Sequence, residues 1–259
     1  MFGKLLKYEF RSVGKWYFGL NAGIVAIAAI LSFVIKILVK KNPDISLFSK
    51  FLPFSLILIF GALIAGSLLA TLLIIINRFN KNIYGREGYL TMTLPVSEHK
   101  LILAKLLSSV TYSFFNLLML AVAFAILILP QFDKADLLKG INEILKVAPQ
   151  HMNLIAFICV TIILSTLSSI LAFYFAISIG QLFSNRRGLK AFIAYFCVQI
   201  TLSIIFTYIN TNLLGLGFNQ EVDYTSNYYF LISSLEGFFQ IILYYFGTHF
   251  IMKYKLNLQ

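Results

Sequence analysis

Six apolar stretches, each long enough to cross a bilayer, take up most of this 259-residue chain, and nothing between them resembles a soluble domain. A hydrocarbon core about 30 Å thick needs about 20 apolar residues of helix, at a rise of about 1.5 Å each. The stretches are residues 16–38, 54–76, 103–129, 154–183, 191–209 and 229–252. Each must be helical, because an isolated strand would leave its backbone N–H and C=O groups unpaired in lipid. Only 12% of the residues are charged and 59% are hydrophobic, whereas a soluble domain carries about a quarter charged residues. The expected fold class is all-α: one polytopic membrane domain over residues 1–259, with six transmembrane helices and an N-terminal amphipathic interfacial helix.

Basic residues set the expected orientation. Lys4, Lys7, Arg11 and Lys15 precede the first stretch, and Arg78, Lys81, Arg86, Lys100 and Lys105 surround the loop after the second. Arg186, Arg187 and Lys190 follow the fourth, and Lys253 and Lys255 follow the sixth, so 14 of the 21 Lys and Arg residues share one side. The positive-inside bias then places both termini in the cytoplasm. The net charge of +11 lies nearly all on that face, which fits topology and anionic lipid rather than nucleic acid. Cys159 and Cys197 lie inside spans and suggest inert packing, not a disulfide or metal site. His99, His151 and His249 are scattered without ligand spacing. The N-terminus has a formal cleavage site at Ala26-Ile27-Ala28, but its apolar run continues to Ile35, as in a retained signal-anchor.

Two segments outside the spans are amphipathic. In residues 1–15, Phe2, Leu5, Leu6, Phe10 and Val13 share one helical face, and Lys4, Lys7, Arg11 and Lys15 another. That pattern suits a helix lying in the membrane interface, with Trp16 and Tyr17 in the aromatic belt beyond it. Between the third and fourth stretches, Leu137, Leu138, Ile141, Ile144 and Leu145 oppose Asp136, Lys139, Asn142, Glu143 and Lys146. This predicts a short interfacial helix, read as a surface connection in preference to a lid.

The loop at 77–102 is the most informative polar segment. Gly85 and Gly88 bracket Arg86 and Glu87, and Tyr89, Leu90, Met92 and Leu94 are apolar where a simple turn would need polar residues. Pro95 breaks the segment and Ser97 is placed to cap the helix running into the third stretch. From the residues alone, the apolar segment either lies on lipid or docks on a partner protein. The runs Arg78-Phe79, Tyr84-Gly85-Arg86-Glu87-Gly88-Tyr89-Leu90, Thr93-Leu94-Pro95-Val96-Ser97 and Leu103-Ala104-Lys105-Leu106 resemble the first cytoplasmic loop of type-2 ABC transporter permeases. The subgroup they are most similar to is the small six-span permeases of Gram-positive bacteria associated with peptide and antibiotic export.

The resemblance implies a plasma-membrane exporter subunit that is not itself an enzyme. It implies an ABC ATPase partner, present in two copies, that binds ATP and Mg, and a second permease copy or a related permease. Arg86, Glu87, Gly88, Tyr89, Leu90, Leu94 and Pro95 would then form the element that couples to the ATPase. The chain has no G-x-x-x-x-G-K-[S/T] run, so no phosphate cradle of that type is expected in it. By the same analogy, Leu213-Leu214-Gly215-Leu216-Gly217-Phe218 is similar to a re-entrant outer segment.

Within the spans, Gly19, Gly23, Gly61, Ala65, Gly66 and Ala70 suggest close helix contacts. Glu236 is the one acidic residue deep in a stretch, with Gln240 one turn on and Ser233 nearby. Glu236 and Gln240 are the candidates for a translocation path, the alternative for Glu236 being a carboxyl hydrogen-bonded to neighbouring helices. Two other functions compete with export: an ion-coupled secondary transporter using Glu236, and an intramembrane enzyme or a non-transport membrane protein of the immunity type. The basic asymmetry predicts that a single cysteine placed at Gly85, in a background lacking Cys159 and Cys197, reacts with impermeant reagent only from the cytoplasmic side. Labelling of intact cells checks this, and reaction from outside would reverse the orientation.

Overall fold

The computed structural model describes residues 2–11, 15–40, 47–85, 87–88, 96–215 and 227–255, and among these the regular structure is helical throughout. The helices are α1 (Phe2–Arg11), α2 (Lys15–Lys40), α3 (Leu47–Phe79), α4 (Glu98–Ile128), α5 (Lys134–Val147), α6 (Met152–Gln181), α7 (Arg187–Asn212) and α8 (Asn227–Tyr254). Five residues of π-helix, Asn80–Tyr84, extend α3. Among the described residues, six helical runs are long and apolar enough to cross a membrane: Tyr17–Ile37, Phe54–Tyr84, Glu98–Gln131, Lys134–Gln181, Arg187–Asn212 and Tyr228–Tyr254. The protein is thus an all-α, multi-pass membrane protein. The fourth run joins α5 to α6 through a short 3-10 turn, Ala148–His151.

The chain divides into two compact units, one of residues 7–74 and 111–150, the other of residues 1–6, 75–110 and 151–259. In the first, Ile24, Ala28 and Leu31 of α2 pack with Phe60 of α3 and with Leu120 and Ala123 of α4. Polar contacts fix the register of these helices. The fully buried Tyr17 donates from its hydroxyl to the Tyr112 carbonyl at 3.2 Å and lies 3.1 Å from the Thr71 hydroxyl. Asn116 donates to Asn21 Oδ1 at 3.2 Å, and Asn21 donates to the Tyr17 carbonyl at 3.0 Å. Tyr17 therefore departs from the expected place in an aromatic belt. Its ring meets Tyr112 and Phe115, and its hydroxyl finds partners among the helices, so it does not face outward as a belt residue would.

The amphipathic helices form where the sequence places them. The Tyr112 hydroxyl donates to the Glu9 carbonyl of α1 at 3.0 Å, and the Phe10 ring stands edge-on to Tyr112. Helix α5 buries none of its residues, and Leu138, Ile141, Ile144 and Leu145 remain exposed along its apolar face. Its Lys139–Asp136 pair, 3.8 Å apart and exposed, contributes little. Helix α7 ends with the Leu213 and Leu214 N–H groups on the Ile209 carbonyl and Gly215 in the left-handed region (φ 67°). Leu216, Gly217 and Phe218 of the expected re-entrant segment lie outside the described residues.

The second unit is organised around α6. Phe79, Ile83 and Tyr84 pack with Ile102, Leu171, Tyr174 and Ile177, and with Leu202 and Tyr244 from α7 and α8. Phe79 and Tyr174 stack with centroids 3.8 Å apart, and the Tyr174 hydroxyl lies 2.8 Å from that of Ser109. Where α6 gives way to α7, a Cβ at Gly180 would lie 2.6 Å from Ala191 Cβ and 2.7 Å from the Arg187 carbonyl oxygen. By contrast, a Cβ at Gly19, Gly23, Gly61 or Gly66 would meet nothing within 4 Å. Cys159 and Cys197 are free thiols on exposed faces rather than packed inside. Gly180→Ala should therefore destabilise the protein by about 1–3 kcal/mol through overpacking. Gly23→Ala should be neutral or raise stability by up to about 1 kcal/mol. Thermal unfolding of both variants in detergent checks the contrast.

Candidate functional site

The segment after α3 begins with a change of helical register. Gly85 N–H donates to the Asn80 carbonyl at 2.9 Å, an i to i+5 bond that closes the π-turn. A side chain at Gly85 is excluded, since its Cβ would lie 2.8 Å from the Lys81 carbonyl oxygen. The turn is held from α6: Tyr84 donates to Ser178 Oγ at 2.7 Å, and Gln181 Nε2 donates to Asn80 Oδ1 at 3.0 Å. Gln181 Oε1 accepts in turn from Arg187 Nη1 at 3.2 Å, which brings in the first turn of α7. One rare turn thus aims two polar side chains at one neighbour. Such π-turns occur frequently at functional sites.

Of the expected coupling residues, Glu87 and Gly88 follow this turn. Glu87 forms an ion pair with Lys81 at 2.9 Å, and the Gly88 N–H donates to the Gly85 carbonyl at 2.8 Å. Arg86, Tyr89, Leu90, Leu94 and Pro95 lie outside the described residues. The chain resumes at Val96, and the Ser97 carbonyl accepts from the N–H groups of Lys100 and Leu101 at 2.9 and 3.3 Å as α4 begins at Glu98.

The path candidates Glu236 and Gln240 face different helices. Asn210 of α7 donates from Nδ2 to Glu236 Oε1 at 2.8 Å. Gln240, one turn further along α8, accepts from Ser168 of α6 at 2.6 Å. Nearby, the hydroxyls of Thr161 and Ser234 meet at 3.2 Å, again between α6 and α8. A groove of about 500 Å³ runs between the first halves of these two helices, and neither Glu236 nor Gln240 lines it. Its walls are almost wholly apolar, with Phe157, Val160, Leu164, Leu231, Leu235 and Phe238 among them.

The fold also brings together two histidines that are far apart in the chain. His99 in the first turn of α4 stacks on His249 near the end of α8, with centroids 3.9 Å apart and planes 14° apart. The Tyr245 hydroxyl lies 2.8 Å from His99 Nδ1. Spacing gives no hint of the pair. The one available signal is topological: an even number of spans returns both residues to the same end of the helices. Among the described residues, no cluster of three His, Cys, Asp or Glu side chains is placed to hold a metal ion.

Compared with protein-family models, with curated proteins and with solved structures, the chain finds no match. The Asn210–Glu236 bond generates a stability prediction. Glu236→Gln keeps an acceptor for Asn210 and should leave stability nearly unchanged, whereas Glu236→Leu leaves the half-buried Asn210 NH2 without its acceptor and should lower it by about 1 kcal/mol. Removing both partners, Glu236→Leu with Asn210→Leu, should lose less than the sum of the single changes. Thermal unfolding of the four variants in detergent measures this cycle.

Proposed function

We propose that the chain is the permease subunit of an ATP-driven exporter that moves a hydrophobic or amphipathic cargo, most simply a peptide, across the plasma membrane. The observation that carries the reading is the constellation from Arg78 to Leu106, set between the second and third of six membrane-length helices. An amphipathic helix, α1, stands where the resembling family has one. In this reading both termini and the 77–102 loop face the cytoplasm. A separate ATPase pair binds ATP and Mg, and a second permease copy or relative completes the path. The apolar side chains of Tyr89, Leu90 and Leu94 dock on the ATPase, with Arg86 and Glu87 at the rim and Gly88 and Pro95 shaping the segment. ATP-driven closure of the ATPases then reaches the second and third spans through this loop.

The ion-coupled reading has less support. It rests on a single carboxyl, Glu236, whose described partner is the neutral Asn210 amide. No discontinuous helix pair repeats in two halves of the sequence, as such transporters commonly show.

The experiment is co-expression of the tagged chain with any ABC ATPase whose gene neighbours its own. The chain alone should hydrolyse no ATP, and the pair should co-purify from detergent. Apolar anchors at an interface each contribute about 1–3 kcal/mol. The double substitution Tyr89→Ala, Leu90→Ala should therefore weaken retention of the ATPase at least about tenfold while membrane insertion stays normal. Robust ATP turnover by the chain alone, or full retention by the double variant, would overturn this assignment.

A further inference from the structure

The π-turn, Glu87 and α4 meet in a polar chain that the loop's apolar docking residues do not require. Lys105, in the second turn of α4, is only 3% exposed, although Leu103 and Leu107 beside it are open. A buried ammonium is tolerated only with hydrogen-bond acceptors around it. The Asn82 amide, at the middle of the π-turn, supplies one. Turned with its oxygen toward Lys105 Nζ, 2.6 Å away, this amide donates from its NH2 group to Glu87 Oε2 at 2.9 Å. The reverse orientation would set oxygen against carboxylate and NH2 against ammonium, so the two ions select the amide's direction. Glu87 Oε1 is held in turn by Lys81 Nζ at 2.9 Å. The order carboxylate, amide, ammonium is one in which each hydrogen bond polarises the next in the same sense.

We propose that Lys105 is a positioning residue: through Asn82 it clamps Glu87 and the π-turn to α4, so that the end of the second span and the start of the third move together. Glu87 and Lys105 stand 18 positions apart and both belong to the constellation that resembles the exporter loop. The clamp gives a physical reason for the two to occur together. Asn80 and Tyr84, on the same turn, are already held by α6. Asn82 adds α4, and the base of the loop becomes one body with the starts and ends of the neighbouring helices. A push on the loop is then delivered to α4 instead of being absorbed by the residues in between. The transmission role rests on the export reading; the clamp itself does not.

Two measurements separate them. The first is hydrogen–deuterium exchange over residues 80–88 of the full chain in nanodiscs, comparing wild type, Lys105→Met, Asn82→Leu and Glu87→Gln. Exchange there should rise at least about tenfold in the first two variants, with residues 160–175 of α6 unchanged. Glu87→Gln removes a charge from a half-exposed position and should fold in any case, raising exchange about threefold. The second is cargo transported per ATP hydrolysed in the complex with the co-expressed ATPase. Lys105→Met should keep ATPase binding and hydrolysis yet transport at least about fivefold less per ATP, a change that a mere structural anchor would not produce. Unaltered exchange at 80–88 in all folded variants overturns the clamp, and raised exchange with an unaltered transport ratio overturns the positioning role. If wild type itself binds no ATPase, the export reading fails while the exchange result still decides the clamp.

Discussion

In hydrocarbon a polar group has no water to fall back on, and the described structure follows from where each such group finds its partner. Helices answer for the backbone. Among the side chains, many Ser and Thr hydroxyls bond back to their own helix, as Thr166 does to Ile162, Thr201 to Cys197 and Thr248 to Tyr244. Such bonds satisfy the hydroxyl and contribute nothing between helices. Register between helices is left to a few longer groups: Asn21 with Asn116, Tyr84 with Ser178, Tyr244 with Gln199 and Asn210 with Glu236. Bonds of this kind contribute only about 0.6 kcal/mol each on average in membranes. Their value lies in direction, because dispersion contacts between Leu and Ile side chains resist sliding far less than a 3 Å bond does.

Asn80 and Tyr84, four positions apart, share a side as they would in an α-helix at about 100° per residue, and both face α6, while Asn82 on the other side faces Lys105. The π-turn closes with the Gly85 to Asn80 bond. Glycine at 85 is the steric condition for that closure. A single turn therefore serves three neighbouring helices, since Arg187 of α7 joins through Gln181.

Much of this fold was legible because lipid makes hydropathy a strong signal. The apolar stretches at 54–76 and 103–129 fall within the observed runs Phe54–Tyr84 and Glu98–Gln131, which extend past the hydrocarbon limits at the polar end. The amphipathic faces of α1 and α5 were equally plain, since a stripe needs only local spacing. What stayed hidden depends on which helix stands beside which. Lys105 reads as one more topological charge until Asn82 and Glu87 are placed next to it. Tyr17 reads as a belt residue until Thr71 and Tyr112 surround it. The glycines that look like contact sites, Gly19 and Gly23, face open space, and close approaches between helices occur at Gly180 and at Gly247, against Phe175, which no repeat marks.

Glu236 shows how far chemistry alone can be read at a single position. Its partner Asn210 offers Nδ2 to the carboxyl, and its Oδ1 is buried without a partner among the described residues. An ionised carboxylate needs a donor, which the observed orientation supplies. A protonated carboxyl needs an acceptor, which the same amide supplies once turned over, because its oxygen and nitrogen are nearly interchangeable in shape. The carboxyl therefore finds a partner in either orientation of the amide without movement of α7 or α8, while the amide's other atom is left without one among the described residues. That tolerance explains how a lone acid can persist between two apolar helices with no cation facing it from Asn210, and it places the burden of any transport role on water access, not on the carboxyl's immediate partner.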